Sequence, residues 1–462
     1  MEMITGNLAS KIPLKYVLEY RIVPLEEEEQ CIKVGAYKRN IVILKESLEF
    51  ILNKRIQFIF MEEEAVERII RIYYDHKTFL SGISKGQYDS EEGQKLPIVE
   101  LCNFIIEKGI KDGVSDIHIE PKKEELLIKH RINGSLILVN VIEGVYSDGI
   151  LRRFKALANM NIAERRVPQD GKLLYSYENK SINIRLGTMP VIYGEKLVMR
   201  FLFTQEKVKG LDDLSFQREQ LKSIQNMLRH KNGIILITGP TGSGKTTTLY
   251  SIIEELKRDD INICTVEDPV EKIIEEINQT NINNKAGITF SIGLRSLLRQ
   301  DPDVIMIGEI RDEETASTAV RAALTGHLVL STLHTNTAFS AISRLEDMGI
   351  KEYLLKDAVL GIISQRLVRT LCDKCKMQNM DTAIYEAVGC ENCNYTGYKG
   401  RIIISEVVYL PELFSYDEPL SFHNIKSKHS KRYGEQMDED LKRLFNKGLI
   451  DSIEYKKYYI ET

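Results

Sequence analysis

The sequence predicts an α/β protein of two to four domains, one of which binds phosphate. Three observations lead to this fold class. The chain has 462 residues, which is too long for a single hydrophobic core. Hydrophobic residues make up 43% of it and charged residues 28%, a balance typical of folded globular chains. Around residues 234–258 a strand pattern, a glycine-rich loop and a helical pattern follow one another, as in nucleotide-binding α/β domains.

Composition also narrows the partners and the compartment. The formal net charge of −4 argues against nucleic acid as the main partner, because phosphate-binding surfaces normally carry a basic excess, although a local basic patch would escape this argument. The N-terminus lacks the charged start and apolar stretch of a signal peptide, and no apolar run approaches the ~20 residues that span a bilayer. We therefore expect a cytoplasmic protein.

The part of the chain before the glycine-rich loop divides by pattern into two folded regions. Residues 1–75 mix short apolar segments with acidic clusters and a helical repeat, which predicts a small α+β module. Residues 76–96 are rich in Gly, Ser and charge and predict a linker. In residues 97–203 a helical segment precedes strand-like alternation at 126–132 and 181–186, which predicts a second α+β domain.

A second linker is expected at 204–215, and the phosphate-binding domain at 216–370. The first helix of that domain has an apolar face and is predicted to end at Asn232-Gly233, where glycine permits a left-handed stop. Beyond about residue 410 the pattern is charged and weak, with one helix expected around 439–449.

The glycine-rich loop matches GxxxxGK[ST] in full. Lys245 would reach the β- and γ-phosphates of a nucleotide, and the Thr246 hydroxyl would ligate Mg²⁺. Backbone N–H groups of the loop and the following helix N-terminus would hold the phosphates. The alternative is a glycine-rich turn without a ligand. The candidate phosphate-binding residues are Gly239, Pro240, Thr241, Gly242, Ser243, Gly244, Lys245, Thr246 and Thr247.

Two sets of carboxylates follow buried-type strands. In the stretch DPDVIMIGEIRD, residues 301–312, Gly308 occupies the place where a phosphate-handling enzyme ordinarily has a magnesium-holding aspartate. We expect Glu267 or Asp268 to supply part of the magnesium and water shell, and Glu309 to orient or activate the attacking water. The alternative is that Glu267 and Asp268 only cap a loop. Because ligands collect at the carboxyl ends of parallel strands, both sets can face the phosphate loop.

Two histidines flank one further apolar strand. His327 precedes this strand and His334 follows it. Either ring could hydrogen-bond a γ-phosphate and respond to its loss. A histidine beside a strand is also commonly a satisfied structural group, and the sequence leaves both alternatives open.

Four of the seven cysteines form two CxxC pairs separated by 14 residues. Two such pairs can wrap one tetrahedral Zn²⁺ through four thiolates, a closed site that would be structural and not catalytic. The alternative is four free thiols. The expected ligands are Cys372, Cys375, Cys390 and Cys393.

Four stretches, at 239–250, 265–271, 297–316 and 325–336, resemble the Walker A, aspartate box, atypical Walker B and histidine box of one family. It is the type II secretion and type IV pilus assembly ATPase family, in which the Gly308-Glu309 pair is normal. The likeness covers roughly residues 97–406 and includes three upstream motifs, at 115–121, 165–172 and 185–200.

The resemblance implies a fold and an activity. It implies a RecA-like ATPase domain at 216–370, preceded by a PAS-like domain at 97–203 that carries arginine fingers, Arg185 and Arg200. It also implies a homo-hexamer that hydrolyses ATP with Mg²⁺ and drives an inner-membrane platform protein, at the cytoplasmic face of that membrane and attached to it only through partners.

The resemblance further implies a partner-binding role for the module at 1–75, a tetracysteine zinc subdomain at 371–403 and a C-terminal helical region at 404–462. The tetracysteine knuckle favours an assembly motor over a retraction motor. A nucleic-acid translocase and a non-hydrolysing ATP-binding regulator are the competing hypotheses. The sequence leaves open whether the product is a pilus or a secretion pseudopilus, and whether the arginine fingers act on their own chain's ATP.

Overall fold

The structure is a computed structural model that describes residues 6–37, 42–83, 98–202, 208–380, 382–413 and 422–459. The chain forms two compact units, Met1–Phe203 and Thr204–Thr462, and each is described by itself. Among the helices in these described ranges, none is long and apolar enough to cross a membrane.

The first unit begins with a three-stranded sheet and its helices. β1 pairs antiparallel with β2, and β2 pairs parallel with β3. The long helix α4 buries Tyr73 and Tyr74 in the core of this module, and the Tyr74 hydroxyl donates to the carbonyl of Ala9 at 2.6 Å. The elements are α1 (Gly6–Ala9), α2 (Leu14–Tyr20), β1 (Ile22–Glu27), β2 (Cys31–Ala36), α3 (Val42–Leu52), β3 (Arg55–Phe60) and α4 (Glu63–Ile83).

Helix α4 corrects the predicted linker at 76–96. The helix continues to Ile83, so residues 76–83 are helical and not loop-like. The reason is that burial continues past residue 75, with the His76 ring fully buried against the same core. The rest of the predicted linker lies outside the described residues.

The second part of the first unit is a six-stranded antiparallel sheet in the order β6-β5-β4-β9-β8-β7. One face packs Ile117, Leu186 and Met199 into a core with helices α5 and α6, while alternate residues carry polar side chains on the other face. The elements are α5 (Ile98–Asp112), β4 (Asp116–Pro121), β5 (Glu125–Ile132), β6 (Ser135–Glu143), α6 (Ser147–Leu157), β7 (Gln169–Tyr177), β8 (Lys180–Val191) and β9 (Gly194–Leu202).

The second unit is organised around a seven-stranded sheet in the order β12-β11-β13-β14-β10-β15-β18. Six strands are parallel and β18 is antiparallel to β15. Every residue of β10, β11, β13 and β14 is buried, as continuous apolar runs in a parallel sheet predict. The strands are β10 (Gly233–Thr238), β11 (Ile263–Glu267), β12 (Asn278–Asn281), β13 (Val304–Ile307), β14 (Leu328–Leu333), β15 (Val359–Leu371), β16 (Met377–Gln378), β17 (Tyr385–Glu386) and β18 (Tyr398–Tyr409).

Helices cover this sheet and extend beyond it at the C-terminal end. The helices are α7 (Arg218–Leu228), α8 (Lys245–Leu256), α9 (Phe290–Leu297), α10 (Glu313–Leu324), α11 (Ser340–Asp347), α12 (Glu352–Ala358), α13 (Phe422–Tyr433), α14 (Gln436–Asn446) and α15 (Ser452–Tyr459). Helix α14 corresponds to the helix expected around 439–449, and α13 and α15 lie within the helical region that the resemblance implies at 404–462.

Helix α7 ends at Leu228, earlier than the predicted stop at Asn232-Gly233. Gly233 instead opens β10, with φ of 126°. A Cβ at this position would lie 2.4 Å from Cγ of Leu360, so close strand packing explains the glycine.

Strand β18 crosses the predicted boundary between the tetracysteine subdomain at 371–403 and the helical region at 404–462. Residues 404–409 are strand and not helix, since Gly361–Arg369 of β15 pairs with Arg401–Tyr409 in one continuous antiparallel ladder. The chain therefore leaves the main sheet at the end of β15, forms the cysteine-containing excursion, and returns to the sheet as its edge strand.

Candidate active site

The glycine-rich loop lies between β10 and α8 and depends on glycines. Gly239, Gly242 and Gly244 have φ of 142°, 78° and 90°. These values lie in the left-handed region that side chains disfavour. A Cβ on Gly239 would also lie 2.3 Å from the carbonyl oxygen of Gln365. The loop therefore closes tightly on itself, with the N-terminus of α8 at its end.

Lys245 and Ser243 have polar atoms that a phosphate would satisfy. The Lys245 side chain is buried, and Nζ donates to the carbonyls of Gly239 at 2.8 Å and Pro240 at 3.1 Å. Burial lowers the pKa of Lys245, and the Glu309 carboxylate opposes this shift. The buried hydroxyl of Ser243 has no hydrogen-bond partner among the described residues. A negatively charged phosphate fits this donor set, and Thr246 is half-buried beside it.

Gln365 of β15 holds the loop and was missed by the sequence analysis. Its fully buried amide accepts from the Thr248 hydroxyl at 2.9 Å and donates to the carbonyl of Ser243 at 2.8 Å. One side chain thus joins the loop to the first turns of α8. No local pattern marks Gln365, because it is over a hundred residues from its partners.

Glu309 follows β13 and meets His334 from the neighbouring strand β14. Oε2 of Glu309 is 3.3 Å from Nε2 of His334, and Oε1 accepts from Arg311 at 2.5 Å. The Thr332 hydroxyl donates to the carbonyl of Gly308 at 2.7 Å and so joins the two strand ends. The pairing of parallel β13 with β14 explains why residues that follow them lie together.

Charge keeps Glu309 ionised. Burial alone would raise the pKa of this carboxyl, but the hydrogen bond and charge of Arg311, together with His334, outweigh burial and lower the pKa below its ordinary value. A carboxylate with a low pKa is a weak proton acceptor. It can nevertheless orient a water molecule at neutral pH, since it remains charged.

We expect Arg311→Gln to move the acid limb of the kcat profile to higher pH. In the wild type, activity that requires ionised Glu309 is lost only as pH falls through a pKa below about 4.5. Without Arg311, its hydrogen bond and its charge no longer offset burial, and the pKa of Glu309 rises. Steady-state phosphate release between about pH 5 and 8 tests this. Identical pH profiles for the variant and the wild type would contradict it.

Glu267 lies at the end of β11 with its carboxylate engaged inside the fold. One oxygen accepts from the Tyr250 hydroxyl at 2.5 Å, and the other accepts from the Thr265 hydroxyl at 2.6 Å and the Gln279 amide at 3.1 Å. Burial, and then the Glu267 charge, raises the pKa of Tyr250. The predicted magnesium role of Glu267 stays a prediction. To ligate Mg²⁺, the carboxylate would have to bind the metal in addition to accepting these hydrogen bonds.

Gly308 is not a steric requirement of the fold. A Cβ there would meet Phe290 and the Val266 carbonyl at 3.4 Å, which is ordinary van der Waals contact. Asp268 is exposed nearby, within electrostatic range of Arg311. The backbone at Gly308 would therefore accept a Cβ.

His327 lies far from the phosphate loop of its own chain, so the prediction that it acts at that loop is wrong. His327 immediately precedes β14, and the pairing of β14 with β10 runs from Gly233–Leu328 to Thr238–Leu333. The phosphate loop follows Thr238, so His327 is at the opposite edge, about 20 Å away at ~3.3 Å per residue. Its ring contacts the carbonyl of Ala322 at 3.0 Å, which is a structural role.

Arg185 and Arg200 lie in the first unit, on the neighbouring strands β8 and β9. They are direct partners in the strand register. Arg200 is largely exposed and its Nε donates to Asp116 at 2.9 Å, while Arg185 is half-buried. The structure therefore brings the two predicted arginine fingers together on one face.

The four predicted cysteines converge. Their sulfur atoms all lie within 4.8 Å of one another. Three of the pairs, Cys372–Cys390, Cys375–Cys393 and Cys390–Cys393, are 3.9, 3.7 and 3.9 Å apart. Tetrahedral zinc with bonds of ~2.3 Å requires sulfur atoms about 3.8 Å apart. Backbone N–H groups of Gly389 and Gly397 also point at sulfurs, which suits thiolates.

Comparison with known proteins identifies the family of the chain. The family described as "Type II/IV secretion system protein" matches residues 91–451, most of the chain. The chain belongs to this family. The match extends past residue 406, where the sequence resemblance was expected to end.

Two curated relatives illustrate the range of the family. The chain is 37% identical to the type IV pilus assembly ATPase TfpB of Acinetobacter baylyi over 439 residues, which cover 87% of this chain and 75% of the relative. It is 45% identical to the type II secretion system protein E of Aeromonas hydrophila over 331 residues. That second match covers 68% of this chain and 66% of the relative.

Solved structures support the fold. The ATPase DotB of Legionella pneumophila has a TM-score of 0.61 at 22% identity and covers 80% of this chain and 98% of its own. The pilus retraction motor PilT with bound ADP has a TM-score of 0.53 at 25% identity, with coverage of 77% and 95%. The predicted fold class and family are confirmed, and the chain is an ATPase of this family.

Proposed function

We propose that this family member is a hexameric motor that hydrolyses ATP to assemble type IV pili or a type II secretion pseudopilus. It would do so by driving an inner-membrane platform protein from the cytoplasmic face of that membrane. The observation that carries the proposal is the contact of Glu309 with His334 at the strand ends next to the glycine-rich loop. The names of the two curated relatives support both candidate products.

The residues of the second unit would divide the work of hydrolysis. Lys245 exchanges its two loop carbonyls for phosphate oxygens, because a charged acceptor outcompetes neutral ones. Thr246 and the Glu267 region would hold Mg²⁺, which neutralises phosphate charge. Glu309, ionised at neutral pH, orients the attacking water, and His334 responds to loss of the γ-phosphate through its contact with Glu309.

Two parts of the first unit would have further roles. Arg185 and Arg200 of the domain at 97–203 would stabilise charge in the transition state, as arginine fingers do. The module at 1–75 would bind a partner of the assembly machinery. These assignments rest on the resemblance and on the shared face of the two arginines.

We propose that the cysteine cluster holds one structural zinc ion. Cys375→Ser should lose the metal, and the melting temperature should fall by at least about 5 °C because metal binding is coupled to folding of the excursion. Metal analysis and thermal denaturation measure this, with Cys31→Ser, outside the cluster, as the control. A purified wild type that is folded and free of zinc would refute the assignment.

The motor proposal is tested by steady-state Mg-ATPase and light scattering of the full chain, with and without single-stranded DNA. The expected result is slow turnover, a mass of about six times the 53.0 kDa chain with ATP, and no response to DNA. A severalfold stimulation by DNA would favour nucleic-acid translocation instead. A chain that remains monomeric in every nucleotide state would contradict the proposed hexamer.

A further inference from the structure

One row of charged side chains crosses the six-stranded sheet of the first unit. The strands β5, β4, β9, β8 and β7 each contribute one residue to this row. Each of these residues pairs directly in the strand register with the residue from the neighbouring strand. Direct partners in antiparallel strands share a face, so the whole row is on the face away from the apolar core. We name this set the cationic row; it consists of Arg131, Asp116, Arg200, Arg185 and Lys172.

The cationic row has more positive than negative charge. It holds four cations and one carboxylate, and Arg200, Arg185 and Lys172 are adjacent like charges, which destabilise a sheet. The side chains of Arg185 and Lys172 make no hydrogen bond or ion pair with any residue in the described ranges. An anion with several negative charges, such as a nucleotide polyphosphate, would balance the excess.

Asp116 is the only acid in the row and is itself held in place. It is 5% exposed. Its Oδ2 accepts from the Ser115 hydroxyl at 2.9 Å, and the backbone of Ser115 accepts from the N–H of Phe201 at 3.0 Å. The Nε of Arg131 is 3.7 Å from the same oxygen. The carboxylate therefore has a defined orientation.

This carboxylate engages Arg200 in a particular way. Oδ1 of Asp116 accepts from Nε of Arg200 at 2.9 Å, while the Arg200 side chain remains 67% exposed. A guanidinium has five N–H donors, and engagement through Nε leaves the terminal N–H groups for a second anion. Arginine otherwise has many rotamers, and a fixed anchor reduces that freedom before the phosphate binds.

We propose that Asp116 is a positioning residue that orients the Arg200 guanidinium toward the nucleotide phosphates. This inference rests on the proposed function of Arg200. Asp116 touches neither substrate nor metal and acts only through the arginine. Substitution of Asp116 should therefore slow the step at which Arg200 acts.

The test is a double-mutant cycle in the full-length chain with Mg-ATP. Asp116→Asn should lower kcat about tenfold while the KM for ATP changes by less than about twofold. In an Arg200→Ala background the same change should have no further effect, because coupled residues are not additive. Ser115→Ala, which removes the hydroxyl that donates to Asp116 but keeps the carboxylate, should show the same dependence on Arg200 with a smaller loss. It is the alternative variant if Asp116→Asn does not fold.

Glu120→Gln is the matched control. Glu120 is on the same strand and face as Asp116, but its carboxylate accepts from Lys129 at 2.6 Å and Lys196 at 2.8 Å and not from Arg200. The kcat of Glu120→Gln should equal that of the wild type. Normal kcat in Asp116→Asn, or an equal loss with and without Arg200, would overturn the inference and leave the motor proposal intact. Normal turnover in Arg200→Ala would overturn the roles of both residues.

Discussion

Glu309→Gln is expected to lower ATP turnover by about 10²- to 10⁴-fold while ATP still binds. Glutamine keeps the size of the side chain and one acceptor oxygen, but it has no charge and cannot take a proton. Lys245 and the glycine-rich loop, which we propose bind the phosphates, are unchanged. Steady-state phosphate release measures the loss, and titration with a fluorescent ATP analogue measures the binding.

The control for Glu309→Gln is Glu313→Gln, a change of the same chemistry on the exposed first turn of helix α10. It should leave turnover within about twofold of the wild type, as surface substitutions usually do. If Glu309→Gln kept more than about a tenth of wild-type turnover, its role in orienting water would be refuted.

Arg200→Ala and Arg185→Ala are each expected to lower turnover by about 10³- to 10⁵-fold, the range for arginine fingers. The guanidinium stabilises charge that develops in the transition state, so ATP affinity should change far less than kcat. Arg152→Ala is the control, since Arg152 is an exposed arginine of the same unit that pairs with Asp148 on helix α6. A loss below about tenfold for both variants would argue against the assignment.

Mixing experiments distinguish action within a chain from action on a neighbour. In the proposed hexamer, Lys245→Ala subunits would not hold the phosphates but would retain Arg200, whereas Arg200→Ala subunits would retain Lys245. If Arg200 acts on the neighbouring subunit's ATP, mixed rings should regain part of the turnover that each variant alone has lost. If it acts on its own chain's ATP, mixing should restore nothing.

Local motifs allowed much of the site to be predicted. The glycine-rich loop depends on glycines at fixed spacing, and Gly239 and Gly244 have the positive φ values that this requires. The two CxxC pairs converge because their spacing is sufficient for one tetrahedral cluster. Glu309 and His334 could be predicted together, since both follow buried strands and parallel strands end at one edge.

The rule that parallel strands end at one edge of the sheet would also have excluded His327, because this residue precedes its strand and lies at the opposite edge. The helical continuation of α4 and the return of β18 to the main sheet were missed for a different reason. Both depend on what the segment packs against, and packing partners are not visible in a short window of sequence.

The sequence by itself determined the glycine-rich loop, the cysteine cluster and the family. Only the tertiary structure decided which side chains support them: Gln365 at the loop, Tyr250 at Glu267, and Asp116 beside Arg200. Alternation along a strand tells which residues share a face, whereas register with neighbouring strands decides which of them touch. Register arises from packing between distant segments, so these supporting contacts become visible only in the folded chain.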